Sequence, residues 1–417
     1  MIGSEDAAAL ARRGGREWLS LALLEARNEL LARLAAVLPS PTEPRAAAAE
    51  GGAAAGSTAP GPAQPALRAL AVRLAARTGW FQEWWLARHV QRARGEAADV
   101  ASPRLPGLEP RAQGWLRGAV LPHADEVRQY LGQTLEQTLD LLTHAADDAD
   151  SLHFYRLALQ HEDRISERLG ALLGALSGTL LPPPRPQREG LGVPATRWRL
   201  GSEREAGAYV PHGERWAHEV AVPEFEIDAQ CVNWAQYAEF AEDGGYDRRE
   251  CWSEAGWAWL QRDGRRAPRD VEQLAGSVLV ARDGALQRTP LQQPAMQVTR
   301  HEAEAWCHWA GRRLPTEPEW ELAAFAGARR GFAWGDVLEW VAGSARAFPG
   351  AEARVPPGTL DVIAVARSAA ADGDTVACGV LRGCTTSTPR RWRHTKSRRF
   401  ALPHDDRQRS GFRSCAL

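Results

Sequence analysis

Along the first 180 residues, apolar side chains recur every three or four positions, the period of an amphipathic helix. Leu19, Leu23, Leu30 and Leu34 mark a first helix over residues 4–38, closed by Pro39 and Pro41. A second, over about 66–94, carries Leu67, Leu70, Leu74, Phe81 and Trp85. Val127, Leu131, Leu135, Leu139 and Leu142 outline a third over about 123–147, and Ala158, Ile165, Leu169, Leu172 and Leu176 a fourth over about 150–178. Each has one apolar stripe and a polar remainder, so the four stripes are best buried against one another, as a four-helix bundle. Residues 40–65 are Ala/Gly/Pro-rich and aperiodic, which predicts a flexible loop between helices. A proline-rich linker over 181–195 ends this half.

Beyond residue 195 the period changes. Short β-like runs at His218–Val222, Phe225–Ile227 and Val278–Ala281 are broken by Gly, Asp and Pro. Helix starts are marked by Asn233 with Gln236, Thr299 with Glu302, and Thr316 with Glu319, the spacing at which two side chains satisfy each other's orphan amides. The expected fold class is therefore α+β in two domains, residues 1–180 and 196–417.

Composition narrows the function classes. A chain of 417 residues exceeds the roughly 250 that one core sustains, in agreement with two domains. Lys plus Arg number 51 against 52 acidic residues, a net charge of −1, so no overall basic field exists to hold nucleic acid. No run approaches the roughly 18 apolar residues of a membrane span, and the N-terminus lacks a basic start followed by an apolar core, so no membrane partner and a cytoplasmic location are expected. The six cysteines form no CxxC pair, which favours reduced thiols. Twelve of the 17 tryptophans lie after residue 195, where they suggest a loop-rich domain held by aromatic packing.

The strings RHEAEAWCHWAGRRLPTEPEWELAAFAG (300–327), FAWGDVLEW (332–340) and SGFRSCA (410–416) closely resemble the formylglycine-generating-enzyme-like fold, a C-type-lectin-like α+β domain. GWFQEWW (79–85) and FYRLALQHEDRISE (154–167) resemble the DinB-like bundle that precedes this fold in ergothioneine sulfoxide synthases and selenoneine synthase. The stretch 221–248 together with FYRLALQHED looks more like the selenoneine branch.

This resemblance implies a non-haem Fe(II) oxidoreductase that uses oxygen to join a selenosugar or thiol donor to hercynine. In the family three bundle histidines hold the metal, one before a WFQE-like string and two from an HxxxHxE string, whose four-residue spacing puts both rings on one helical face. Here the first position falls on Arg77, the second is His161, and the third is Ile165. His161 is thus the one metal ligand carried over, and the catalytic residues stay unassigned. An inward Arg77 is expected to pair with a carboxylate, Glu167 first, in place of the metal. Phe348 stands at the apparent position of a family tyrosine that is thought to deliver a proton, and residues 351–379 fit the family poorly.

The residues themselves leave alternatives open. His161 reads as a ligand or as a hydrogen-bonded core histidine, and His89, His144 and His153 as members of a displaced site or none. Trp80, Phe81, Trp84 and Trp85 read as core or as a cation–π box for a trimethylammonium group. Trp306, Trp309, Trp320, Trp334 and Trp340 read mainly as structural, yet Trp340, with Arg398 and Arg413, is also a candidate substrate contact. The basic run 390–399 reads as a solvated surface or as anion contacts, with nucleic acid disfavoured. Cys378 and Cys384 invite comparison with a copper-binding cysteine pair, at a loose spacing. The rival to an enzyme is a binding module that keeps the fold without turnover.

Overall fold

The computed structural model describes residues 4–38, 63–178, 180–282, 285–351 and 377–417. The chain forms two compact units: Gly15–Leu180 with Ala281–Ala285, and Met1–Gly14 with Leu181–Val280 and Leu286–Leu417. Most of the loop expected over 40–65, and most of the poorly matching stretch 351–379, lie outside the described residues.

The expected first helix is two helices. Helix α1 (Ser4–Arg13) ends at Gly14, and α2 (Arg16–Val37) starts after Gly15. Two adjacent glycines weaken helical continuity, and the backbone N–H of Arg16 donates to Asp147 Oδ1 at 2.9 Å, so a carboxylate remote in sequence caps α2. Helix α1 instead packs against the 390–392 turn. Arg12 donates to Glu214 Oε2 at 2.6 Å, and the N–H of Tyr209 donates to the Arg12 carbonyl at 2.8 Å.

In the helical unit, α2 packs on α5 (Ala124–Thr143) and α6 (Ala149–Ser177), and α3 (Ala63–Gln82) packs on the same two. A short helix α4 (Ala112–Leu116), between α3 and α5, lies against α3. Leu19, Leu23, Leu30, Leu34, Val127, Leu131, Leu142, Ile165 and Leu169 are all buried, as their spacing requires. Leu70, expected on the inner stripe, is exposed; Ala71, Ala75 and Ala76 are buried instead, because small side chains let α3 approach its neighbours. After Gln82 the helix widens into one π-helical turn, Glu83–Ala87. Glu83 is buried there and accepts from Tyr130 Oη at 2.6 Å.

The C-terminal unit mixes short helices and strands. Strands β1 (Leu191–Val193) and β4 (Phe225–Ile227) pair antiparallel, as do β2 (Thr196–Leu200) and β3 (His218–Val222). Helices α7 (Trp234–Glu242) and α8 (Glu254–Asp263) precede a three-stranded sheet, β5 (Val271–Gln273), β6 (Val278–Arg282) and β7 (Ala285–Thr289). Then come α9 (Arg300–Trp309), α10 (Glu317–Ala326) and a central sheet of order β10-β9-β8-β11. Its strands are β8 (Leu338–Ser344), β9 (Gly379–Gly383), β10 (Arg398–Ala401) and β11 (Ser410–Phe412), with β11 parallel to β8 and the other pairs antiparallel. All three anticipated capping boxes form, at the starts of α7, α9 and α10. Helix α8, which starts at Ser253, lacks the paired signal and was not anticipated.

Tryptophans tie this irregular backbone together through their ring N–H groups. Trp306 donates to the Gln236 carbonyl at 3.1 Å, Trp320 to Glu339 at 2.8 Å, and Trp340 to the Val298 carbonyl at 2.9 Å. No helix among the described residues is long and apolar enough to cross a membrane.

Candidate functional site

In the helical unit, the inward faces of α3 and α6 meet at Phe81 and His161. The two rings stack with centroids 3.8 Å apart and planes within 1° of parallel. His161 is buried, and neither ring nitrogen has a hydrogen-bond partner among the described residues. Burial holds its pKa well below the ordinary value, and the charges of Arg77 and Arg168 lower it further. The imidazole is therefore neutral. One turn on, Ile165 is fully buried and apolar.

Arg77, one turn before Phe81 on α3, is half-buried, and its own pKa is lowered by burial and by Arg168. Arg77 thus lies on the helix that carries Phe81, and Ile165 on the helix that carries His161. Glu167, the carboxylate expected to neutralise Arg77, pairs with Arg164 at 3.3 Å, three residues earlier on the same helix. Glu162, also on α6, accepts from Arg27 at 2.6 Å and from Gln82 at 3.1 Å.

The other histidines considered in the helical half have partners of their own. His89 is buried with Nδ1 3.2 Å from Ser102 Oγ, and burial first, then Arg104 and Arg92, push it down to about 4. His153 lies 3.9 Å from Glu96, and His144 bonds the Asp140 carbonyl at the end of α5. Among the described residues, no group of three His, Cys, Asp or Glu side chains is arranged to hold a metal ion. A ferrous ion needs several neutral or anionic donors. Here one imidazole faces two guanidiniums and an isoleucine, so the residues present do not fit iron.

The tryptophans of the π turn have their faces occupied by the protein's own cations. Arg88 and Arg104 lie 5.1 and 5.0 Å from the Trp84 ring centroid, while Trp80 stacks on Trp84 at 5.3 Å. Stacking and internal cation–π contacts account for this cluster.

In the C-terminal unit, the three candidate substrate contacts are deeply buried and each has internal partners. Trp340 is fully buried in the core. Arg413, 0% exposed, bonds both carboxylate oxygens of Glu339, also 0% exposed, and donates to the carbonyls of Asp228 and Ala333. Arg398 forks onto Glu317 at 2.9 and 3.0 Å, donates to the carbonyls of Gly213 and Arg346, and lies over the rings of Phe348 and Phe400 at 3.8 and 4.9 Å. Phe348 packs edge-on against His218 at 4.8 Å, so the position expected to carry a hydroxyl is an apolar ring under a guanidinium.

The basic run 390–399, read from the sequence as a surface, turns partly inward. Arg398 and Arg399 are buried, and Lys396 reaches Glu321 at 2.5 Å. Glu321 was not singled out by any motif, yet it is fully buried and also accepts from Trp198 Nε1 at 2.9 Å and pairs with buried Arg382. Its only sequence signal was an acid on the inner face of α10, which local pattern does not distinguish from a surface acid. Cys378 and Cys384, on either side of β9, are both buried.

Comparison with known proteins bears on the C-terminal unit first. Residues 182–355 match the sulfatase-modifying factor enzyme 1-like domain family. Among curated proteins, hercynine oxygenase of Mycolicibacterium thermoresistibile is 34% identical over 287 residues, covering 63% of this chain and 61% of the relative. The proteins of the same name from Mycolicibacterium smegmatis and Mycobacterium tuberculosis are 33% and 31% identical, covering 63% and 62% of this chain and 63% and 64% of theirs. The chain thus spans somewhat less than two thirds of the length of these relatives.

Proposed function

We propose that the chain derives from oxygenases that join a sulfur or selenium donor to the imidazole of hercynine, of the selenoneine type first and the ergothioneine sulfoxide type second. In this reading the helical unit is a DinB-like four-helix bundle, the C-terminal unit a formylglycine-generating-enzyme-like domain, and the iron centre has degenerated. The similarity to proteins named hercynine oxygenase supports the substrate assignment, with oxygen as co-substrate. A single observation carries the degeneracy: buried His161 stacks on Phe81, the charges of Arg77 and Arg168 act on it, and among the described residues no three His, Cys, Asp or Glu side chains are grouped to hold a metal ion.

The same observation favours a binding role over turnover as the present activity. Loss of two imidazoles removes more metal affinity than neighbouring hydrogen bonds restore. Reconstitution with Fe(II), followed by metal analysis and oxygen uptake with hercynine and a thiol or selenium donor, tests both parts. Our reading expects no stoichiometric iron and no uptake, with hercynine binding retained by calorimetry. Stoichiometric iron with hercynine-dependent uptake would overturn the degeneracy, and absence of hercynine binding would overturn the substrate assignment.

A further inference from the structure

Two observations separate α1 from the helix that follows it in sequence. The N-terminus of α2 is closed without α1: Asp147 Oδ1 accepts from Arg16 N at 2.9 Å, and the Arg16 side chain donates to the carbonyls of Thr143 and Ala145 at 3.0 Å. Gly15 makes room for this cap, since a Cβ there would lie 2.9 Å from both oxygens of Asp147, closer than a real side chain tolerates. Helix α1 itself belongs to the other compact unit, the one that contains residues 202–214.

The last turn of α1 reads Arg12-Arg13-Gly14, and segment 202–214 meets it group by group. Arg12 Nη2 donates to Glu214 Oε2 at 2.6 Å and Nη1 to Ser202 Oγ at 3.4 Å, while the Ser202 hydroxyl donates to the same Glu214 oxygen at 3.0 Å. Tyr209 N–H donates to the Arg12 carbonyl at 2.8 Å, and Glu205 pairs with Arg13. Ser202 and Glu214 are buried, so the acceptor is built into the unit, whereas the exposed Arg13–Glu205 pair adds little energy. The apolar part of the contact is thin. Among the described residues of α1 the buried apolar side chains are Ala8 and Ala11, and a methyl group removes far less surface from water than a leucine does. A helix of 10 residues is marginal alone in water, so α1 keeps its shape by docking, and the docking rests mainly on Arg12.

A charged anchor on a buried carboxylate, a thin apolar face and a separately capped neighbour describe a ligand that can leave without unravelling either side. We propose that Ser202, Glu205, Tyr209 and Glu214 form a receptor site for a helix ending in paired arginines, which α1 of the same chain fills reversibly. The inference stands on these contacts and does not depend on the hercynine reading. Tethering holds α1 at an effective concentration on the order of millimolar, so a competitor in solution meets an occupied site.

The test uses the full chain and, as probe, a fluorescently labelled synthetic peptide of residues 4–14, followed by anisotropy. In the full-chain variant Arg12→Ala with Arg13→Ala the tethered helix loses its anchors. Saturable binding of the peptide to this variant is expected, at least about tenfold tighter than to the wild type, a difference of about 1.4 kcal/mol. The same peptide with both arginines replaced by alanine should not bind, and adding Glu214→Gln to the variant should weaken binding of the original peptide about tenfold or more. No saturable binding to the double variant, equal affinities of wild type and double variant, equal binding of the arginine-free peptide, or undiminished binding after Glu214→Gln would each overturn the site. Should Glu214→Gln not fold, the arginine-free peptide decides on the folded double variant. A double variant that itself fails to fold would show α1 to be part of the core of its unit and overturn reversible docking.

Discussion

Phe81 and His161 lie ring on ring, 3.8 Å between centroids, at the crossing of α3 and α6. This contact fixes the distance between the two helices and brings Arg77 within electrostatic reach of the imidazole. It also shows that the two helical stripes converge at His161.

If the corner is an iron centre that lost two ligands, restoring them should restore the metal. Arg77→His combined with Ile165→His is expected to bind Fe(II) stoichiometrically, measured by metal analysis, while the wild type does not. Adding His161→Ala to the double variant should remove the iron again. A double variant that folds and stays iron-free would count against the placement of the centre.

Four histidines outside this corner are also held neutral. Burial first, then neighbouring cations, push His89 and His301 down to about 4 and His212 to about 3; His394 reaches about 4 by burial first, then Arg12. On unfolding each regains its ordinary value near 6.5 and takes up a proton that the native state does not bind. Their contribution to stability is therefore complete above about pH 6.5 and is lost as pH falls toward 4, at most about 1.4 kcal/mol per pH unit for each group. Urea midpoints measured from neutral pH down to about 5 should fall progressively; a flat profile would contradict the assignment.

Arg413 and Glu339 form an ion pair in which both side chains are fully buried. Replacing one partner strands the other's charge in the core, which costs about 3–5 kcal/mol. Arg413→Met should therefore lower the unfolding free energy of the C-terminal unit by about that amount in denaturant titrations. The double variant Arg413→Met with Glu339→Leu should recover much of the loss.

Arg12 ties α1 to the unit formed mainly by the second half of the chain. Burial alone would raise the Glu214 carboxyl, and Arg12, with a hydrogen bond from Ser202, holds it below its usual range instead. Arg12→Met is expected to destabilise this unit, by about 1.5–3 kcal/mol for a hydrogen bond to a charged group. Limited proteolysis should then cut near residues 13–15 faster than in the wild type. Equal cleavage rates would show that α1 is held by other contacts.

Much of the framework was legible because it is local. Helical period located α2, α3, α5 and α6, and the pairs at Asn233, Thr299 and Thr316 located three helix starts, since a capping box is complete within four residues. The run His218–Val222 emerged as β3 with the anticipated bounds. What misled was the reading of charge. Arg398, Arg399 and Glu321 look like surface residues in any short window, yet all are buried, with partners such as Glu317, 81 residues from Arg398.

From the sequence alone came the helical stripes, the helix starts and the places of Arg77, His161 and Ile165 on those stripes, because periodicity and motif spacing are properties of neighbouring residues. Only the tertiary structure decided that α1 leaves the helical unit, that the candidate substrate arginines are bound to internal carboxylates, and that His161 is a neutral ring between an aromatic face and two cations. Ion pairing and desolvation depend on which groups meet across the fold, and no local window of the chain contains that information.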